Sequence, residues 1–301
     1  MHLNTLEVKI IGFLQLRLTS PLHVGSGDKE VRRPLLRLPR GEILIPSSTW
    51  KGAFRGISER LAKSIKYEGV IGQAIRFYRE GASGIEYRSD DGEFEKFVND
   101  FNMRLKSDGE IVRLMHELGY SEEEIESARR VEDKSLLREM AESYLAIHCP
   151  IGSLYGNKVM AGKVRFGDVV MSDVRTSFRA GVGIDRKSAT AKRNVLYFVE
   201  LIEPGTEIKL PMIIDNLLPG KEDSHLFALT LDHVLKFGLC IGGRKSAGLG
   251  MLSVVTNQEN SSNSFYLVEL STDQELALGN PFKKGKKLSI KELIEYLRHK
   301  T

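Results

Sequence analysis

Cysteine is nearly absent: Cys149 and Cys240 are the two in 301 residues. Two thiols build neither a disulfide framework nor a cysteine-only zinc site, and such usage fits a reducing compartment. No run approaches the ~18 uninterrupted apolar residues of a membrane span. The opening MHLNTLEVKIIGFLQL lacks the basic, apolar and small-residue segments of a secretory signal. The expected location is therefore the cytoplasm, with no membrane partner. Histidines stand at 2, 23, 116, 148, 225, 233 and 299, and none pairs at a metal spacing such as HExxH. His148 and Cys149 are adjacent and read as a satisfied buried pair. There is no nucleophile elbow, no short internal repeat and no low-complexity tract.

What is present is a foldable chain with unevenly placed charge. Hydrophobic residues make up 41%, enough for one large domain or two ordinary ones. The formal charge is +4, but Glu86 to Glu142 holds 17 acidic and 9 basic residues, net −8. The remainder is then +12, a basic body with an acidic insert, which suggests a polyanionic partner for the body.

Val8, Ile10, Leu14, Leu16 and Leu18 share one parity, so residues 6–19 read as a half-buried strand. PLHVGSGD ends it in a glycine turn, and residues 34–45 read as a hairpin around Arg40 and Gly41. Ser47 and Ser48 are good N-caps for a helix whose apolar stripe is Trp50, Phe54, Ile57 and Leu61. Residues 66–147 read as several short helices, an inserted helical lobe in which SEEEIE is a capped helix start. Strands resume at 162–174 and 195–214. A second helix spans 225–238, with Phe227, Leu231, Val234 and Leu235 on one side, and GMLSVV reads as a last core strand. The tail, 259–301, holds an apolar segment from Phe265 to Leu270 and a basic helix. With the lobe set aside, the order is that of a ferredoxin-like α+β fold, with helices covering one sheet face. The palm would comprise 1–65 and 148–258, the insertion 66–147.

Four constellations bear on chemistry. The loop His23-Val24-Gly25-Ser26-Gly27-Asp28 is either an ordinary tight turn or a set of backbone N–H groups facing an oxyanion. Gly242-Gly243-Arg244-Lys245-Ser246-Ala247-Gly248-Leu249-Gly250 is either a bulged strand entry or a phosphate cradle with two cations behind it. In RAGVGIDRKSATAKR, Arg179, Arg186, Lys187, Lys192 and Arg193 oppose only Asp185. With strand-like flanks, this is an extended hairpin, either a solvated loop or a basic finger that orders on a polyanion. Lys51 and Arg55 sit near the first helix start, where the dipole favours anions; the alternative is a snorkelling surface pair. Asp28 is the one carboxylate beside a candidate phosphate site.

In order along the chain, HVGSG, IPSSTWKGAFR, FGDVV, GVGIDRKSATAKRNVLYFVELIEPGT and GLCIGGRKSAGLG resemble the RAMP superfamily of CRISPR-associated proteins. Within it, they resemble the backbone subunit of type III effector complexes. The resemblance covers residues 6–60 and 149–255, and leaves the lobe and the tail unexplained. It implies a ferredoxin-like palm with an RNA-recognition-type sheet. Copies would stack head to tail along a CRISPR RNA, and a β-hairpin thumb would wedge between bases. Carried onto this chain, the thumb is about 179–195 and Lys51 and Arg55 face the guide backbone. His23, Gly25 and Gly27 would lie beside a displaced nucleotide, and Gly242, Gly243, Arg244 and Lys245 would form the phosphate loop. The implied partners are CRISPR RNA, target RNA, other RAMP subunits and the large subunit of an antiviral ribonucleoprotein.

One departure concerns catalysis. Active subunits of this kind cut target RNA with an aspartate in an Asp-x-Pro setting, using magnesium or manganese. Here the matching stretch is Val31-Arg32-Arg33-Pro34, and arginine neither binds a cation nor acts as a base at pH 7. Two readings follow: a guide-binding scaffold that needs no cofactor, or cleavage through Asp28 with a divalent metal. A guide-processing endoribonuclease, with His23 at its site, is a third.

Overall fold

The alternation of the first segment folds as strand β1, Val8–Leu18. The fold is that of a computed structural model, which describes residues 5–25, 27, 31–81, 84–87, 92–184, 191–256, 263–270 and 285–299. Two units divide the chain. One is built from Leu6–Ser58 and Val164–Thr301, the other from Glu59–Lys163.

The first unit is the ferredoxin-like palm. Its antiparallel sheet runs β11 (Leu239–Cys240), β12 (Met251–Val254), β1, β10 (Glu207–Asp215), β6 (Val164–Phe166). Strand β13 (Ser264–Glu269) also pairs with β1, over Val8–Phe13, and carries β14 (Lys286–Leu288) at its outer edge. The tail thus extends the palm sheet. Ile10, Leu14, Leu16 and Leu18 of β1 and Leu210, Met212 and Ile214 of β10 are buried on one face, while Phe13, Arg17 and Lys209 occupy the other. That split follows from the two-residue period of a strand.

Helix α1, Ser47–Ser64, and helix α8, Glu222–Phe237, cover the buried face. The Phe54 ring stacks on Phe166 of β6 at 4.8 Å, and the Ser58 and Thr230 hydroxyls join α1 to α8 at 2.7 Å. Trp50, Phe54 and Ile57 are buried as the stripe requires, but Leu61 is only half-buried, as is Leu235 on α8. Helix α9, Ile290–Arg298, lies along α8, where Arg298 and Lys236 both meet Asp232, at 2.9 and 2.8 Å.

Two local expectations need correction. Ser47 is already helical, so it is not the N-cap. The Asp168 carboxylate, 121 residues away, accepts the Ser47 N–H at 2.6 Å instead. The expected strand 162–174 breaks at Gly167 and Asp168 for the same reason. Its first half, β6, joins the palm sheet, and its second, β7 (Val169–Met171), pairs with β3 (Ile43–Ile45). The hairpin at 34–45 forms, closed by Gly41 N–H to the Leu38 carbonyl at 2.8 Å and Leu38 N–H to Glu42 at 2.9 Å.

The second unit holds α2 (Gly69–Phe77), α3 (Gly92–Ser107), α4 (Gly109–Glu117), α5 (Glu122–Arg130), α6 (Lys134–His148) and α7 (Pro150–Tyr155). A hairpin unseen in the sequence, β4 (Tyr78–Gly81) with β5 (Gly84–Tyr87), sits among them. Helix α6 buries Leu137, Met140, Ala141, Tyr144 and Leu145, with Tyr144 stacked on Phe101 at 5.4 Å. The start of α5 is the expected capping box, Ser121 with Glu124. His148 and Cys149 mark the junction of α6 and α7. His148 Nδ1 meets the Tyr144 carbonyl at 2.7 Å, and Cys149 Sγ accepts the Gly152 N–H at 3.4 Å. Among the described residues, no helix is long and apolar enough to cross a membrane.

Candidate nucleic-acid interface

Two glycine loops more than 200 residues apart in sequence are joined at His23. The His23 carbonyl accepts the Gly243 N–H at 2.9 Å, and Pro21 accepts the Gly250 N–H at 2.8 Å. Gly242 has φ +77°, and a Cβ there would fall closer than 3.0 Å to the His23 carbonyl oxygen. The loops approach this closely because that position carries no side chain. The His23 side chain is 9% exposed, and its Nδ1 lies 2.9 Å from the Glu200 carbonyl.

Around this junction opens a cleft of about 650 Å³. Its walls are His23, Gly25 and Gly27 from the first loop, Gly242, Gly243 and Lys245 from the second, and Ser48, Thr49 and Gly52 from the first turns of α1. Arg33 and Pro34 complete the rim. Backbone N–H groups at a helix start, glycine-freed loops and two cations together suit a phosphate-bearing ligand. Lys245 is exposed, the first residue of a single 3₁₀ turn, Lys245–Ala247.

Tyr197 organises the cations. The Arg33 guanidinium lies 4.8 Å and the Arg244 guanidinium 4.4 Å from its ring centre, and Arg244 also donates to the Tyr197 hydroxyl at 2.8 Å. Arg244 takes a left-handed backbone, φ +59°, so the hydroxyl and ring contacts hold a conformation that an L residue otherwise disfavours. Beneath it, the buried Glu200 carboxylate accepts the Leu35 N–H at 3.0 Å and pairs with Arg37 at 2.5 Å. Glu200 therefore ties the hairpin of residues 34–45 to the strand that anchors His23.

That strand belongs to a projecting hairpin. Strand β8 (Thr176–Ile184) pairs antiparallel with β9 (Ala191–Ile202), and β2 (Arg32–Arg33) adds parallel to β9. Val199, Leu201 and Leu249 pack together at its base, with Tyr197 against them. Farther out, Phe178, Val182 and Leu196 are 61%, 48% and 51% exposed. Val182 lies opposite Leu196, and Phe178 shares the parity of Val182, so these three make one apolar face.

The sequence-predicted residues fall into three groups. His23, Gly25, Gly27, Gly242, Gly243 and Lys245 converge on the cleft, and Arg244 stands behind it on Tyr197. Arg32 and Arg179 are exposed on β2 and β8, and Lys51 is exposed on α1; none of them lines the cleft, nor does Arg55. Although Lys51 is exposed, partial desolvation by its surroundings, then the neighbouring Arg55, lowers its ammonium from the ordinary value. Asp28, Arg186 and Lys187 lie outside the described residues, as do the side chains of Lys192 and Arg193 within β9.

Sequence reasoning missed Tyr197, Arg33, Glu200, Ser48, Thr49 and Gly52. Arg33 was legible as a cation beside Arg32. A lone tyrosine in an apolar strand carries no signal of the two guanidiniums that reach it.

Among protein families, the RAMP superfamily model matches residues 15–253, well over half of the chain. No curated protein matches it.

Proposed function

The chain belongs to the RAMP superfamily, and on that premise we propose that it is the CRISPR RNA-binding backbone subunit of a type III interference complex. RAMP proteins work in CRISPR RNA–protein complexes. The finer reading rests on one observation: the cleft into which two glycine loops, the start of α1, Arg33 and Lys245 converge.

A guide must be held whatever its sequence, so contacts go to phosphates, sugars and base faces. The cleft supplies N–H groups, hydroxyls and two cations. The β8–β9 hairpin supplies the thumb. Its apolar face of Phe178, Val182 and Leu196 is suited to wedge between bases, while Arg179, Arg186, Lys187, Lys192 and Arg193 meet the backbone. Copies stacking head to tail would tile the guide, because a heterologous interface that does not close generates a filament. Target RNA, other RAMP subunits and the large subunit are the partners of that assembly.

The described cleft wall supplies Arg33 and Lys245, cations that suit a phosphate; Asp28, the carboxylate on which metal-assisted cleavage would depend, lies outside the described residues.

The test is binding of the full chain to fluorescent single-stranded RNAs over a range of salt. Guide and scrambled sequences should bind alike, with log affinity falling against log salt by roughly 0.7 per phosphate held. Absence of binding at low salt refutes the proposal. Metal-dependent cuts in target RNA that vanish in Asp28→Ala would replace the scaffold by the nuclease. One metal-independent cut in repeat RNA would replace it by guide processing.

A further inference from the structure

Strand β8 has one neighbour. Its sheet runs β2, β9, β8, so among the described residues the outer edge of β8 is free. Which backbone groups face that edge follows from the ladder. The Arg175 carbonyl accepts the Glu203 N–H at 3.0 Å, and in an antiparallel pair the bonded residues alternate. Ser177, Arg179 and Gly181 therefore exchange bonds with β9, opposite Leu201, Val199 and Tyr197. Thr176, Phe178, Ala180 and Val182 turn their N–H and C=O groups outward. Phe198, opposite Ala180, gives its N–H away from β8, as this alternation requires, to the Val31 carbonyl at 2.7 Å.

An edge of this kind is a template for another strand unless something blocks it. The usual deterrents are proline, lysine, a bulge or a very short strand. From Thr176 to Val182 there is no proline and no lysine, and the register shifts only beyond Val182. The one charge in that stretch is Arg179. Thr176, Phe178, Arg179, Ala180 and Val182 are all exposed. The large apolar side chains, Phe178 and Val182, belong to residues whose backbone faces the free edge.

We propose that this edge is an interface for β8 of a second copy, the two strands pairing antiparallel about a two-fold axis at Ala180. A strand supplies donors and acceptors at the spacing of the ladder, and in this register β8 is complementary to itself. Ala180 meets Ala180 of the second copy, and Phe178 meets Val182, which Leu196 flanks on its other side. The apolar side chains thus meet across the interface on one face. On the other face, Arg179 falls opposite Gly181. An axis one residue earlier would set the two Arg179 guanidiniums directly opposite each other, which like charges disfavour. A two-fold contact closes as a dimer. It therefore belongs to the protein without RNA, not to the head-to-tail assembly proposed along a guide, and it does not depend on that assembly.

The experiment uses the full chain, freed of nucleic acid, in sedimentation velocity over a range of concentration. The wild type should pass from monomer to dimer as concentration rises. Ala180→Pro removes the N–H that each copy gives the other, at an edge position where proline is tolerated. Two lost hydrogen bonds should weaken association roughly 5- to 150-fold. A second measurement oxidises Ala180→Cys and Phe178→Cys with glutathione disulfide. Across the axis, bonded Cα atoms stand about 5.5 Å apart, within the reach of a disulfide. Ala180→Cys should therefore form a covalent dimer. Phe178→Cys, whose counterpart lies four residues along the strand and about 14 Å away, should give no more than the wild type, whose Cys240 is partly exposed. A wild type that stays monomeric at every concentration overturns the inference. So does equal cross-linking of the two cysteine variants, undiminished association of a folded Ala180→Pro variant, or association that appears only when RNA is added. Each of these results leaves the guide-binding reading standing.

Discussion

Gly242 and Gly243 are neighbours in sequence and opposites in structure, so a matched pair of alanine substitutions tests how the cleft is held. Gly242 sits at φ +77°, where an added Cβ would press on the His23 carbonyl oxygen. Gly243 has no such φ, and the nearest atoms to its Cβ position are 3.7 and 3.9 Å away. In Gly242→Ala, the left-handed backbone costs an L residue about 1–2 kcal/mol. Pushing His23 away also weakens the 2.9 Å bond from Gly243 N–H, for about another 0.5–1.5 kcal/mol. The sum, roughly 1.5–3.5 kcal/mol, corresponds to a fall in Tm of roughly 3–14 °C for a unit of this size. Gly243→Ala should change stability by less than about 0.5 kcal/mol but place a methyl group beside the His23 ring. Thermal melting and RNA binding, measured on both variants, separate the effects. Gly242→Ala should melt early and bind poorly; Gly243→Ala should melt like the wild type and bind less tightly. Equal melting of all three proteins would show that the two loops are not locked together through His23, and the cleft would then need another support.

Further expectations concern charge, the tyrosine and the helical unit. Lys245→Ala removes an exposed cation from the cleft wall; filter binding should show a salt slope smaller by roughly 0.7 with unchanged Tm. Tyr197→Phe deletes the acceptor for Arg244 but keeps the ring, whereas Tyr197→Ala deletes both. Chemical denaturation should therefore show a loss of about 0.5–1.5 kcal/mol for the first and a clearly larger loss for the second. Changing Arg186, Lys187 and Arg193 together to Ala should weaken RNA binding and flatten its salt dependence at nearly constant Tm. His148 has its imidazole lowered from the ordinary 6.5 by burial, with nearby Arg104 acting the same way and the Tyr144 carbonyl opposing. Above pH 6.5 both folded and unfolded forms are neutral there. Below it, the unfolded chain takes up the proton first, so stability should fall as pH drops. A urea titration across that range should lose part of its pH dependence in His148→Gln.

Several features of this molecule are written in single segments of the chain. The period-two pattern of β1, the stripe of Trp50, Phe54 and Ile57 and the Ser121–Glu124 box are local, and each formed where its spacing placed it. The glycine loops and the basic hairpin were likewise visible, since glycine and clustered cations have the same backbone and charge consequences in any fold. The hairpin β4–β5 was not, because its strands are only four residues long and pair only with each other.

What the tertiary structure decided is which of these pieces meet, and through which atoms. The cap of α1 comes from Asp168, the loops join through the His23 carbonyl, and Arg33 and Arg244 share Tyr197. None of these partnerships has a sequence period, because each links residues more than 40 positions apart whose neighbours carry no trace of the contact. The same holds for the His23 ring: a histidine beside glycines is legible in the sequence, but its orientation depends on the Glu200 carbonyl, 177 residues away, which meets Nδ1.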